Sequence, residues 1–357
     1  MIKISGSHFG KITVIRLFIF LFGLLSIQFS SCNIKLMEYE QPHYSIEFYD
    51  LIISKVPFND SIGKTYGMDL DSMKLRYITD KGIVMSKAYY SSFIAAKLSI
   101  FHFSEAYIVN YSGSGSIKQI IQTNYYPVYY SITRYGGKFL FTTDEGNYLI
   151  LGNVNTMSTI QISDQMRGTE HLAEFSTYND KIAFVEKDLN YQSVLYIIDT
   201  AGNNKKKVIS LNGASNEDML SWYSDNMTIA YSDLNSSSIS NICKVKCDGT
   251  GFVNLTNSSL NQRKPSYSGD GINIAFEEYS SSGIPDIIVI DRDGNQRVNI
   301  TNSPDEYDRR PSWSQTGKYL LFFTSSINST VSKLCIYEFQ THNKVYIDSV
   351  TTASWVL

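Results

Sequence analysis

The chain has 357 residues, 43% of them hydrophobic and 18% charged, with a formal net charge of -3. Its first 31 residues carry Lys3, Lys11 and Arg16 and no acid, so residues 32 to 357 have a formal charge of -6. An acidic surface argues against nucleic acid as a partner, and the length admits one large β domain or two smaller ones.

The three N-terminal cations precede an apolar run from Leu17 to Ile27. That order reads as a secretory signal, with a run too short for a membrane span. Phe29-Ser30-Ser31-Cys32 follows at once. It resembles the lipobox of bacterial lipoproteins, with Phe29 in the place usually held by Leu. The resemblance implies removal of residues 1 to 31 and lipidation of Cys32, with residues 32 to 50 as a tether. An ordinary signal peptide cut nearby, or an uncleaved anchor, is the alternative.

From residue 42 onward the chain repeats itself. Pro265-Ser-Tyr-Ser-Gly-Asp-Gly-Ile-Asn-Ile-Ala-Phe276 superposes without a gap on Pro311-Ser-Trp-Ser-Gln-Thr-Gly-Lys-Tyr-Leu-Leu-Phe322. Weaker copies give aromatic anchors at Tyr44, Tyr90, Tyr130, Phe175 and Trp222, before Tyr267 and Trp313. A period near 45 residues indicates an array of four-stranded units. Each anchor precedes a second run such as Lys181-Ile-Ala-Phe184, a third such as Asp286-Ile-Ile-Val-Ile-Asp291, and a turn such as Asp291-Arg-Asp-Gly-Asn295. A fourth run ends in a hydroxyl, as in Val298-Asn-Ile-Thr301. With no helical apolar period after residue 32, the pattern predicts an all-β fold: a seven-bladed β-propeller of four-stranded antiparallel blades over residues 51 to 357, with six or eight blades as alternatives.

Ala353-Ser-Trp-Val-Leu357 is a leftover copy of the first-strand motif. It is expected to close the ring as innermost strand of the blade formed by residues 51 to 80, displacing Tyr44 into the tether. The opposite assignment keeps Tyr44 in the blade. Closure hides strand edges that would otherwise template aggregation.

The motif Pro311-Ser-Trp-Ser-Gln-Thr-Gly-Lys318 and the strands after it resemble the TolB-type, WD-repeat-like propeller family, whose blade motif reads Pro-Ser-Trp-Ser-Pro-Asp-Gly-Lys. The match covers residues 42 to 357 and is strongest over 220 to 325, departing from the motif at Gln315, Thr316, Tyr267 and Gly269. The resemblance implies an exported propeller that binds proteins or peptides. The N-terminal α/β domain of TolB itself has no counterpart here, and fold similarity alone warrants little about function.

Residues four before the anchors are expected at one mouth of the channel, among them Tyr126, His171, Asp218, Arg263 and Arg309. With Lys264 and Arg310, the latter two make one side basic, fit for a carboxylate or an anionic sugar. Alternatively, Arg309 and Arg310 pair with Asp305, Glu306 and Asp308 in their own loop.

Cys243 and Cys247 are four apart in one strand, about 13 Å, beyond disulfide reach. Neither a disulfide nor a metal site is expected. Asp291-Arg-Asp-Gly-Asn295 lacks the later Glu of a calcium loop and reads as a hairpin turn.

The enzyme alternative is a polyuronate or oligosaccharide lyase, which resembles this chain in fold and holds a metal with several histidines. Of His43, His102, His171 and His342, the register brings only His171 to the mouth. Ser112-Gly-Ser-Gly-Ser116 is no hydrolase elbow. The expectation is therefore a non-catalytic, monomeric, lipid-anchored binding protein of the bacterial envelope, without cofactor, recognising a protein, peptide or glycan.

Overall fold

The computed structural model describes most of residues 50 to 355; residues 1–49, 56–62, 73, 81–82, 85–91, 99–102, 111–116, 123–126, 134–136, 144–147, 164–172, 189, 191, 214–219, 330 and 356–357 lie outside the description. Between residues 83 and 130 the strands are described by their backbone alone.

Every described element is a strand, and the strands form seven four-stranded antiparallel sheets. Sheet 1 joins β28 (Thr352–Trp355) to β1 (Leu51–Lys55), β2 (Lys64–Met68) and β3 (Leu75–Thr79). Sheet 2 runs β4 (Ile83–Val84), β5 (Ser92–Leu98), β6 (Phe103–Asn110) and β7 (Ile117–Gln122), and sheet 3 runs β8 (Pro127–Ile132), β9 (Lys138–Thr143), β10 (Leu149–Asn153) and β11 (Thr159–Gln161). In sheet 4 the order is β12 (Ala173–Phe175), β13 (Lys181–Lys187), β14 (Ser193–Asp199) and β15 (Lys206–Ser210). Sheet 5 holds β16 (Ser221–Trp222), β17 (Thr228–Leu234), β18 (Ser240–Lys246) and β19 (Val253–Asn254). Sheet 6 holds β20 (Gln262–Tyr267), β21 (Asn273–Tyr279), β22 (Pro285–Asp291) and β23 (Val298–Asn299), and sheet 7 β24 (Glu306–Trp313), β25 (Tyr319–Ser326), β26 (Lys333–Glu338) and β27 (Lys344–Asp348).

The expectation of seven blades built on seven anchors is corrected here. Six sheets are blades of the repeat's own design, with Tyr130, Phe175, Trp222, Tyr267, Trp313 and Trp355 on their first strands. Sheet 2 is built differently. Its first strand is Ile83–Val84, upstream of Tyr90, pairing Ile83 with Ala96 and Val84 with Ala95. The reason is chain length. Trp313 stands six residues ahead of β25, enough for a reversing turn, whereas Tyr90 stands two ahead of β5. No chain remains there to reverse direction and pair antiparallel.

The leftover motif at the C-terminus lies against β1, with Leu51 opposite Trp355 and Ile53 opposite Ala353. Tyr44 lies outside the described residues. Sheet 7 packs on sheet 1 through Leu321, Leu334 and Ile336 against Leu51, Ile53 and Met68. The molecule's core consists of such seams. Alternate residues of each second strand face opposite neighbours, as the two-residue period of a strand requires. Thus Ile274 and Phe276 pack with Ala230, Ile242 and Leu255 of sheet 5, while Ala275 packs with Trp313, Leu320 and Phe322 of sheet 7.

The two ends of the sheets differ. At one, the turn end, the first and second strands are joined by a tight turn, and the N–H after the third strand donates to it: Cys247 to the Met227 carbonyl at 2.7 Å, Arg292 to Ile272 and Phe339 to Lys318, both at 2.9 Å. The other, the loop end, carries the connections between second and third strands and between consecutive sheets. Cys243 and Cys335 are buried free thiols whose pKa burial pushes up to about 12, so both are chemically quiet.

A candidate binding site at the loop end

Arg263 and Arg309 occupy equivalent places in β20 and β24, and both strands are bulged immediately after them. The residues in the bulges, Lys264 and Arg310, each take φ = +56°, the left-handed conformation that ordinary side chains avoid. A strand under such local cost needs compensation nearby. Glu277 of β21 supplies it. Wholly buried, its carboxylate accepts the Arg310 backbone N–H at 2.7 Å and the Tyr279 hydroxyl at 2.7 Å, with the Lys264 ammonium 3.4 Å away. Burial first, and then the Glu277 charge, raises the Tyr279 phenol above its ordinary pKa, which keeps it a donor.

The neighbouring Glu278 is also committed. It accepts from Gln262 at 2.6 Å and pairs with Arg297 at 2.5 Å. Asp308, 1% exposed, sits beside Arg309 in the chain, and burial pushes its carboxyl up to about 6, outweighing nearby Thr324 and Thr301.

What remains is cationic. The Arg263 guanidinium lies 5.8 Å from the Tyr279 ring centroid, and that of Arg309 lies 4.6 Å from the Tyr307 centroid. Arg309 and Arg310 are exposed, and neither has a carboxylate partner among the described residues. Pairing with Asp305, Glu306 or Asp308 does not occur. Two guanidiniums near tyrosine rings, with the exposed residues Arg309 and Arg310, give this end of sheets 6 and 7 a cationic surface.

Of the residues expected at the mouth, the structure brings together Arg263, Arg309 and Arg310. Tyr126, His171 and Asp218 lie outside the described residues, as does Cys32. Sequence reasoning missed Glu277, Tyr279 and Tyr307, and named Asp308 only as a partner for the arginines of its own loop. A signal for the first existed: Glu277 stands in the repeat where the sister strands have Val185, Ser232 and Phe323.

Among the described residues no three His, Cys, Asp or Glu side chains are grouped to hold a metal ion. His342 is at the turn end, its Nδ1 bonded to the Tyr337 hydroxyl.

No protein-family model and no curated protein matches the chain. Solved structures do. A TolB-type protein of Agrobacterium tumefaciens is 18% identical with a TM-score of 0.53, over 65% of this chain and 84% of that one. TolB from Acinetobacter baumannii is 13% identical with a TM-score of 0.56, over 86% and 83%. An oligogalacturonate lyase in complex with manganese is 10% identical with a TM-score of 0.58, over 84% of each chain. Identities this low speak for architecture rather than activity, and with the blades above they establish that the chain folds as a TolB-like β-propeller.

Proposed function

We propose that this protein is a non-catalytic recognition module of the bacterial cell envelope, lipid-anchored through Cys32, which binds acidic groups of a protein, peptide or glycan at the loop end of sheets 6 and 7. The observation that carries the reading is the charge imbalance there. Both buried glutamates are consumed internally, while Arg309 and Arg310 keep exposed guanidiniums without a carboxylate. Guanidinium forks match carboxylates in two-point contact, and partial shielding by tyrosine strengthens that contact over one in open water.

An array of acidic, neutral and basic peptides and glycans tests it. Acidic members should bind the wild-type protein and be lost by the Arg309→Ala/Arg310→Ala variant with its melting temperature unchanged. Charge-independent binding would contradict the reading. The anchor has its own test: Cys32→Ala should move the protein from the membrane to the soluble fraction, and retention in the membrane would refute lipidation.

A further inference from the structure

The outermost strand of each sheet leaves one row of backbone N–H and C=O groups outside its ladder, a template for another chain that proteins usually blunt. In this molecule β11, β19 and β23 are blunted by length, at three, two and two residues. β15 is guarded by the exposed Lys206 and Lys207. β27 is a longer and more apolar edge. All five of its residues pair with β26, from Tyr337 opposite Lys344 to Lys333 opposite Asp348, and no described strand lies on its other side. Val345 is 42% and Tyr346 50% exposed.

The outward backbone groups of β27 follow from its first bond. The Glu338 N–H donates to the Asn343 carbonyl at 2.9 Å where the strand pair begins, and bonded and unbonded pairs alternate along an antiparallel ladder. Val345 and Ile347 therefore turn their backbone groups to β26, while Lys344, Tyr346 and Asp348 turn theirs outward.

This edge is its own complement. A second copy of Lys344-Val-Tyr-Ile-Asp348 laid antiparallel about an axis through Tyr346 sets Lys344 against Asp348 at both ends, Val345 against Ile347, and Tyr346 against its own copy. The other long edges lack this property: about their midpoints, β3 would set Arg76 against Ile78, β7 Lys118 against Ile121, and β15 Lys207 against Ile209. Lys344 and Asp348 each keep a contact within the chain, from the Lys344 ammonium to the Ile300 carbonyl at 3.1 Å and between Asp348 and Lys333 at 3.5 Å. An ammonium carries three donors and a carboxylate two acceptor oxygens, so a contact across copies adds to these. Exposed ion pairs contribute little affinity and serve here to fix register; the ladder bonds and the covering of Val345 and Tyr346 hold the copies together.

We infer that β27 is a self-pairing edge by which two copies of this chain form a two-fold dimer, their sheets 7 joined into one antiparallel sheet. The same strand serves both copies, as a closed two-fold contact requires. The dimer replaces the monomer expected from the sequence. It uses none of the loop-end arginines and is independent of the function proposed above.

Sedimentation equilibrium of the full chain over a range of concentrations tests the inference. A reversible monomer–dimer equilibrium is expected. Asp348→Lys and Lys344→Asp each place like charges at both contacts and should weaken the dimer about tenfold or more, with melting temperatures little changed. Mixed in equal amounts, the two variants regain opposite charges at both contacts and should associate as the wild type does. A second measurement is covalent. Residues directly opposite in a bonded pair lie about 5.5 Å apart, within disulfide reach, so Lys344→Cys protein mixed with Asp348→Cys protein should form an intermolecular disulfide on mild oxidation. The wild type treated alike should form none. A wild type that stays monomeric, a dimer indifferent to both charge variants, a mixture that fails to associate, or no disulfide in the mixed sample would overturn the inference.

Discussion

At the scale of residues, two buried acids separate structural cost from structural service. Glu277 is satisfied by a hydroxyl, a backbone N–H and an ammonium. Its replacement by Ala removes the buried carboxylate that faces the Lys264 ammonium, itself 6% exposed. Breaking a buried pair in this way costs about 3–5 kcal/mol, so Glu277→Ala should lower the denaturation midpoint markedly. Asp308 behaves oppositely. Its carboxyl is raised to about 6 in the folded protein against 3.8 ordinarily, so between those values the folded state binds more protons than the unfolded one. Stability therefore falls as pH rises through that window, and the full cost is present above about pH 6. Asp308→Asn should gain about 1–3 kcal/mol at pH 8 and little at pH 3.5, measured by urea denaturation. A gain independent of pH would show that the cost is not ionisation. The repeat marks Glu277 as unusual among its sister positions, but neither acid's role was legible in the sequence. Glu277 becomes an internal acceptor through the bulge at Arg310, whose backbone N–H it takes.

At the scale of elements, the turn between first and second strands links one sheet to the next. Asn226 has φ = +58° and is 5% exposed; its carboxamide accepts the Tyr178 N–H at 2.9 Å and donates to Asp180 at 2.9 Å. Burial alone would raise the Asp180 carboxyl, but bonds from Lys181, Asn226 and Ser176 bring it to about 2. The same turn position holds Gly271 and Gly317, both with positive φ, so the structure demands a left-handed residue there and the side chain of Asn adds a bridge between sheets. Asn226→Ala loses both and should cost about 2–3 kcal/mol; Asn226→Gly keeps the conformation and should cost about half as much, as thermal melts of the two variants would show. These turns were legible because Gly and Asn recur at a fixed offset from the aromatic anchors. The bulges at Lys264 and Arg310 were not, since nothing in Arg-Lys-Pro or Arg-Arg-Pro announces a positive φ.

At the scale of the whole molecule, closure depends on the last strand. Leu51, Ile52 and Ile53 are fully buried, and β28 covers their open edge. A chain ending at Thr351 should melt at lower temperature and aggregate, by calorimetry and light scattering; unchanged melting would show that β28 is dispensable. The repeat period disclosed the propeller, because hydrophobic alternation and turn chemistry are local and survive divergence. Sheet 2 escaped it because Tyr90 imitates an anchor in composition while lacking the residues to reverse the chain before β5.

The loop-end site was half visible. Charges at Arg263, Arg309 and Arg310 could be aligned from the repeat, but which acids they face is a matter of neighbouring sheets, and sequence spacing does not carry that. The most direct measurement is therefore an equilibrium titration of the strongest acidic member of the array against the wild-type protein and the Arg309→Ala/Arg310→Ala variant. The account predicts a loss of about tenfold or more in affinity, steeper at low salt, with equal melting temperatures. Equal affinities would contradict it and take recognition away from the loop end.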